Sequence, residues 1–493
     1  MDIYPSYKMF SAQGRKYPAV PLYAEIGGGD LETPVSAFLK VRKGSYNFLL
    51  ESAEQEERTG RYSFLGTSPE LVIRGRGKEV ETYNTLTGES ERVVTDSPMG
   101  IIDDTIARRR APSYRELPGF TGGLIGYFSY DFVRQIERLP DISADRLGCP
   151  DFFFMLAGEM VVFDHFKRKV ILVSNVNIDN FPSSREAYEH GRENLNAMKK
   201  MMEKPLFLVD SGKVASGKPF RSNFRRQKFV QSVKKAKKYI VEGDIIQTVI
   251  SQRWEKKLDT EPFSIYRALR SVNPSPYMFY LEAGDVKLVG SSPEILVKLE
   301  GRKATVRPIA GTRPRGTSEK DENRLESELL KDEKERAEHI MLVDLGRNDL
   351  GRVCMPGSVK VTELMAIERY SHVVHLVSNV EGMLKPGRKA TDLLMATFPA
   401  GTVTGAPKIR AMEIIEEIEP VKRGPYAGAA GYFSFQGNMD FCITIRTVFI
   451  KGDTVYLQAG AGIVADSVPE REYTETENKV RGLMEACRIS RNI

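Results

Sequence analysis

In residues 1–200, apolar side chains recur at every second position in short runs. Residues 46–50 (YNFLL), 71–73 (LVI) and 159–164 (EMVVFD) are of this kind, and Gly and Pro turns punctuate them. A period of two puts alternate side chains on opposite faces of a pleated strand, so strands mixed with helices are predicted here. After residue 226 longer helical patterns appear. In residues 227–241 (QKFVQSVKKAKKYIV), Phe229, Val233, Ala236 and Ile240 share one helical face, while Lys234, Lys235, Lys237 and Lys238 stay off it. Two further helical segments are acidic: KDEKERAEHIMLVDLGRNDLGRV spaces Glu335 and Glu338 three apart, and PEREYTETENKVRGLMEA spaces Glu472, Glu475 and Lys479 at i, i+3 and i+7. Between these regimes the hydrophobic period fades among Asp210, Ser211, Gly212, Ser216, Gly217 and Pro219. The expected organisation is an N-terminal region over 1–200, a linker over 201–226 and a C-terminal domain over 227–493.

One internal similarity stands out. Residues 119–129 (GFTGGLIGYFS) align without a gap on residues 424–434 (GPYAGAAGYFS) and match at six positions. One copy in each region predicts two related glycine-rich strands, where glycine admits either close backbone packing or a ligand.

Composition narrows the class. With 41% hydrophobic and 28% charged residues, the chain reads as a soluble globular protein rather than a disordered or fibrous one. No apolar run reaches the roughly 18 residues of a membrane span, and MDIYPSYKMF lacks the pattern of a signal peptide. Cys149, Cys354, Cys442 and Cys487 lie far apart and form no metal or disulfide spacing, which fits buried thiols and a cytoplasmic setting. The net charge of +6 is small, and the lysine-rich helix carries no interleaved aromatics, so nucleic-acid binding is not expected.

Candidate chemistry gathers in the C-terminal region. Carboxylates without cysteine or clustered histidine suit a hard cation such as Mg2+, although acidic i, i+3 pairs are also common on solvated helices. Three small-residue segments invite an anion: residues 398–408 (FPAGTVTGAPK) running into a helix, residues 458–464 (QAGAGIV), and residues 308–315 (PIAGTRPR) with two guanidiniums. Arg446 lies in the apolar run CITIRTV, which reads as a strand, and so calls for either a carboxylate partner or an anionic ligand.

PIAGTRPRG, EHIMLVDLGRNDLGRV, HLVS, FPAGTVTGAPK, QAGAGIV and ETENK together carry a resemblance. In order and spacing the chain is similar to the chorismate-utilising enzymes over nearly its whole length, and most of all to the large subunits of the anthranilate synthases. The resemblance implies an α+β fold, with two large antiparallel-rich β-sheets facing one another and helices on the outside. It implies that Glu338 and Glu475 hold Mg2+, that Glu335 and Glu472 hold its waters, and that the metal grips the ring carboxylate of chorismate. Arg446, Tyr426 and the amides around Gly460, Ala461 and Gly462 would take the enolpyruvyl carboxylate, with Gln247, Thr312, Thr402 and Lys479 completing the lining. Glu294, in SSPEILV, matches the family's general acid for loss of the hydroxyl, and His375, in VVHLVS, the histidine linked to elimination of pyruvate.

Two positions sort the relatives. Gln247 stands where the water-adding enzymes carry a lysine base. Ala310 stands where the aminodeoxychorismate synthases of the folate branch, the alternative reading, usually carry a lysine. Both favour ammonia as nucleophile and anthranilate as product. Leu50, Glu51 and Ser52, together with Asn273, Pro274, Ser275, Tyr277, Met278 and Phe279, match the two segments that form a pocket for inhibitory L-tryptophan. Nothing in the chain resembles a glutamine amidotransferase, so the family implies a separate amidotransferase subunit as ammonia source, in a heterotetramer of two plus two subunits.

Overall fold

Alternation along single strands dictates the layers. In the strand Phe152–Ala157, Phe153, Met155 and Ala157 belong to one buried cluster, and Phe152, Phe154 and Leu156 to another. In Tyr46–Glu51, Phe48 and Leu49 divide in the same way. Strands apolar on both faces require cover on both faces. The structure, a computed structural model, describes residues 1–52, 60–206, 218–316, 318–369 and 373–493, apart from the side chains of Thr312, Pro314 and Val373. It meets that requirement with two sheets of 12 strands each, every ladder antiparallel. One core lies between the sheets. A second lies between the first sheet and the helices Tyr7–Gly14, Pro34–Val41, Ser184–Met202, Pro262–Val272 and Pro469–Ile489, and a third packs Pro98–Ala107, Glu333–Val353 and Ala390–Thr397 on the second sheet. The expected fold of two facing sheets with helices outside is the observed one.

Strands from before residue 201 and after residue 226 share both sheets. At the centre of the first sheet Tyr46–Glu51 pairs with Tyr277–Ala283, and at the centre of the second Gly123–Phe128 pairs with Ala429–Ser434. On either side of each seam the strands follow in corresponding chain order, as an internal duplication produces. The glycine repeat lies on the second seam, with Gly126 opposite Gly431. A Cβ on Gly126 would stand 1.8 Å from Phe153 O, and one on Gly431 would stand 2.0 Å from Asp440 O, so these glycines serve close backbone approach.

The sequence carries a second repeat, Gly66-Thr67-Ser68-Pro69-Glu70 and Gly290-Ser291-Ser292-Pro293-Glu294. Both copies mark a place where the chain leaves the first sheet for the second: Tyr62–Thr67 leads to Leu71–Arg76, and Val286–Ser292 leads to Ile295–Glu300. Return crossings run through Gly158 and through residues 444–446.

The lysine-rich helix spans Arg226–Val241 and buries Phe229, Val233 and Ala236. Its lysines stay outside, with Lys235 paired to Glu417 and Lys237 donating to Ser467 O at 2.6 Å. Within the expected linker, residues 207–217 lie outside the described residues, and Arg221–Ser222 forms an edge strand. All four cysteines are free and buried. Among the described residues no helix is long and apolar enough to cross a membrane.

Candidate active site

The crossings build the site. Glu294 sits on one crossing and Arg446 on the neighbouring return, and hydrogen bonds tie the two: Ile443 N donates to Glu294 O at 2.9 Å, and Ser292 Oγ donates to Ile443 O at 2.7 Å. Arg446 lies between two strands rather than within one as expected. Met439–Ile443 ends before it and Thr447–Lys451 begins after it, in the other sheet, while Arg446 itself has φ of 50°. That left-handed conformation is costly for a side chain without special reason. The run CITIRTV hides the break because both flanking strands are apolar. Arg446 Nη1 donates to Lys479 O at 2.6 Å, and among the described residues no carboxylate stands at ion-pair distance from it.

Burial pushes the Glu294 carboxyl up to about 7, against opposing pulls from Thr402 and Lys479. Its twin in the repeat, Glu70, has a different fate, since Arg109 holds it by two bonds of 2.7 and 2.9 Å. Glu294, Thr402 and Asp349 line a small cavity of about 50 Å³. Thr402 Oγ1 is buried there without a well-formed hydrogen bond.

Both acidic stripes reach the same place. Asp332 caps the helix Glu333–Val353 by accepting from the amides of Lys334 and Glu335 at 3.1 and 3.2 Å. One turn on, Glu338 accepts from Gln247 Nε2 at 2.8 Å. From the helix Pro469–Ile489, Lys479 pairs with Glu475 at 2.7 Å and donates to Gly460 O at 3.0 Å. Burial raises the Glu338 carboxyl; Gln247 opposes the rise, the negative charges of Glu335 and Glu475 add to it, and Lys479 opposes it. Glu472 is raised likewise, by burial first and then by Glu475. Glu335 stands further back, held at 3.0 Å by Arg313.

A bulge between Ala310 and Thr312 interrupts the ladder at Gly311. Its carbonyl pairs with His375 Nδ1 at 3.0 Å, and burial lowers the imidazole pKa, so a neutral ring presents Nε2 as an acceptor. Thr312 lies opposite His375 in the ladder, and its side chain is outside the described residues. The second small-residue segment forms the end of the strand Thr454–Ile463. A Cβ on Gly460 would stand 2.9 Å from Tyr426 Oη, and one on Gly462 would stand 2.7 Å from Gln247 Nε2, so both glycines face the site. Ala461, between them, packs on the opposite face with Val233 and Ile414, leaving only its backbone for a ligand.

The other two small-residue segments differ from expectation. Residues 398–408 form the turn Gly401–Val403 and the short strand Gly405–Ala406 before the helix Lys408–Ile418, so Thr402 rather than the helix start meets the site. In that helix Ala411, Met412, Ile414 and Ile415 are buried and Ile409 is exposed. Arg313 pairs with Asp332 and Glu335, and Arg315 with Glu322, so this pair of guanidiniums is not an anion clamp. Spacing did not flag Asp349, which Lys408 holds at 2.8 Å beside the Glu294 cavity.

The family model described as "chorismate binding enzyme" matches residues 83–485. The chain belongs to this family. Anthranilate synthase component 1 of Aquifex aeolicus is 48% identical over 477 residues, covering 96% of each chain. The crystal structure of anthranilate synthase component I from Streptococcus pneumoniae superposes with a TM-score of 0.78 at 37% identity, covering 93% of this chain and 99% of that one. The menaquinone-specific isochorismate synthase of Escherichia coli shares the fold, with a TM-score of 0.71 at 19% identity and coverage of 95% and 94%.

This chorismate-binding enzyme has a second, larger cavity of about 510 Å³ between its sheets. Leu50, Glu51, Ser52, Tyr277, Met278 and Phe279 line it; Asn273, Pro274 and Ser275 do not. Asn273 and Ser275 instead fasten their turn to Ser291. Glu51 is buried, accepts from Tyr266 Oη, and pairs with Arg270 at 3.1 Å. At the far wall Tyr277 Oη donates to Asp440 at 3.0 Å.

Proposed function

We propose that this chain is the chorismate-converting component I of an anthranilate synthase. Ammonia adds to the ring carbon beside the one bearing the carboxylate, the distant hydroxyl leaves as water, and pyruvate is eliminated to leave the aromatic ring. The single observation that carries the reading is the convergence, at one pair of sheet crossings, of a protonatable carboxyl, a guanidinium with no carboxylate at ion-pair distance among the described residues, and two carboxylate stripes. Arg446 and the Tyr426 hydroxyl bind the enolpyruvyl carboxylate beside the glycine backbone of 460–462. Glu294, protonated below about 7, donates the proton that turns the departing hydroxyl into water. Neutral His375 accepts a proton on Nε2 in the elimination.

Mg2+ fits Glu338 and Glu475. Their donors are all oxygen, and Glu338 is half-buried beside the like charges of Glu335 and Glu475, which raises its demand for a cation. Among the described residues no group of three or more His, Cys, Asp or Glu side chains stands ready to hold a metal, so water and a substrate oxygen would supply the other ligands. Bound there, the ion would neutralise the ring carboxylate and fix its orientation. Glu335 and Glu472 would orient its waters. The larger cavity, with Glu51 at its edge and Met278 and Phe279 on its wall, suits an amino acid with a large flat side chain, and L-tryptophan is the proposed inhibitor. Ammonia comes from a separate glutamine amidotransferase subunit, in a two-plus-two assembly in the cytoplasm.

The test is fluorescence of the purified chain with chorismate, Mg2+ and ammonium salt at alkaline pH, followed by product chromatography. Anthranilate that is lost on chelation and falls with L-tryptophan is the expected result. Aminodeoxychorismate as the product, or no turnover by folded protein, would overturn the reading.

A further inference from the structure

Arg423 is among the largest fully buried side chains, at 2% exposure. Its guanidinium makes four hydrogen bonds and lies against two aromatic rings. Nε donates to Glu419 Oε2 at 3.0 Å, Nη1 to Val403 O at 2.7 Å, and Nη2 to both Val249 O and Glu419 Oε1 at 2.7 Å. It lies 4.7 Å from the ring centre of Tyr130 and 5.6 Å from that of Tyr426. Glu419 is also fully engaged, accepting from Ser251 N at 2.7 Å and Ser251 Oγ at 2.9 Å.

These partners are not scattered. Val403 follows Thr402 in its turn, Val249 and Ser251 stand opposite Gly462 and Gly460 in the ladder, and Tyr426 brings its hydroxyl to Gly460. A buried ion pair needs strong reasons to persist, because desolvation of both charges opposes it. We propose that the Arg423–Glu419 pair positions the substrate site, locking the Thr402 turn, the glycine-bearing strand end and the Tyr426 ring in one arrangement. The inference rests on the anthranilate synthase reading for the identity of the substrate. Arg423 touches no substrate; it acts through Thr402 and Tyr426. A lysine would keep the charge beside Glu419 but could not span Glu419, Val403 O and Val249 O from one rigid plane.

The experiment compares wild type, Arg423→Lys, Thr402→Ala and the double variant, with chorismate and ammonium as substrates. Arg423→Lys is expected to lose about 10- to 100-fold in kcat/KM for chorismate, the scale at which small misplacements act, with KM for ammonia unchanged. The double variant is expected to be no worse than the worse single one, because the residues act through one arrangement. Multiplying losses, or wild-type kcat/KM in folded Arg423→Lys, would overturn the proposal. If Arg423→Lys does not fold, Glu419→Gln takes its place. Crystal structures of wild type and variant provide an arm that needs no turnover. A displaced 401–403 turn and Tyr426 ring support the proposal, and an unmoved pair refutes it. Absence of chorismate turnover in the wild type would count against the anthranilate reading alone.

Discussion

A carboxyl buried without a cation at ion-pair distance is a cost that varies with pH. In the folded chain Glu294 keeps its proton up to about 7, whereas an ordinary glutamate releases it near 4.5. Between these values the folded state holds a proton that the unfolded state has lost, so stability falls as pH rises through the window and levels off above it. Glu294→Gln is therefore expected to be more stable than wild type at pH 8, by up to about 3 kcal/mol, with the difference fading toward pH 4. Urea unfolding at the two pH values checks this, and an equal difference at both would refute it. The same variant is expected to lose roughly 10²- to 10⁴-fold in turnover, because glutamine has no proton to give. Arg446 carries the opposite trade. Arg446→Gly relieves a backbone held at φ of 50° and is expected to gain about 1 kcal/mol in stability while chorismate affinity collapses. Thermal unfolding and chorismate titration measure the two effects. Neither residue's setting was legible from spacing. The SPE repeat was the available signal for Glu294, and an apolar run spanning two sheets concealed the turn at Arg446.

Strand and helix periods were legible wherever one face of an element meets a core. Tyr46–Glu51, Glu159–Asp164 and Arg226–Val241 fall where alternation and helical spacing place them. Legibility failed where backbone rather than side chains sets the structure, as in residues 398–408, whose turn and two-residue strand leave no hydrophobic period. The glycines of the second-sheet seam belong at this scale. Gly431→Ala would press a methyl group to 2.0 Å from Asp440 O and force the strands apart. A loss of at least 2–3 kcal/mol is expected, whereas alanine at exposed Gly351, on the helix Glu333–Val353 with nothing within 4 Å, is expected to gain up to about 1 kcal/mol. Parallel melting curves decide it, and similar values for both would refute the argument.

At the scale of the whole molecule, the larger cavity lies between the sheets, while the candidate site lies at the crossings that join them. The strands Ile295–Glu300 and Met439–Ile443 contribute to both. Glu51→Ala is expected to weaken inhibition by L-tryptophan more than tenfold while leaving uninhibited turnover within about threefold, since Glu51 stands outside the reacting groups. Dose–response curves with and without the substitution measure this, and unchanged sensitivity would refute the inhibitor assignment. Periodicity suggested two successive regions, yet both sheets are shared between them. Periodicity reports which face of a strand is buried and says nothing of which distant strand lies beside it.

The two seams have a consequence for how the chain comes into being. When only the first half has left the ribosome, Tyr46–Glu51 and Gly123–Phe128 are bare edges whose partners have yet to be synthesised. Such edges are sticky, and a truncated chain ending near residue 200 would bury them by aggregation or by joining another copy. Because the strand order repeats on each side, a chain of half this length could close the same two sheets as a symmetric pair, edge to edge along the same two lines.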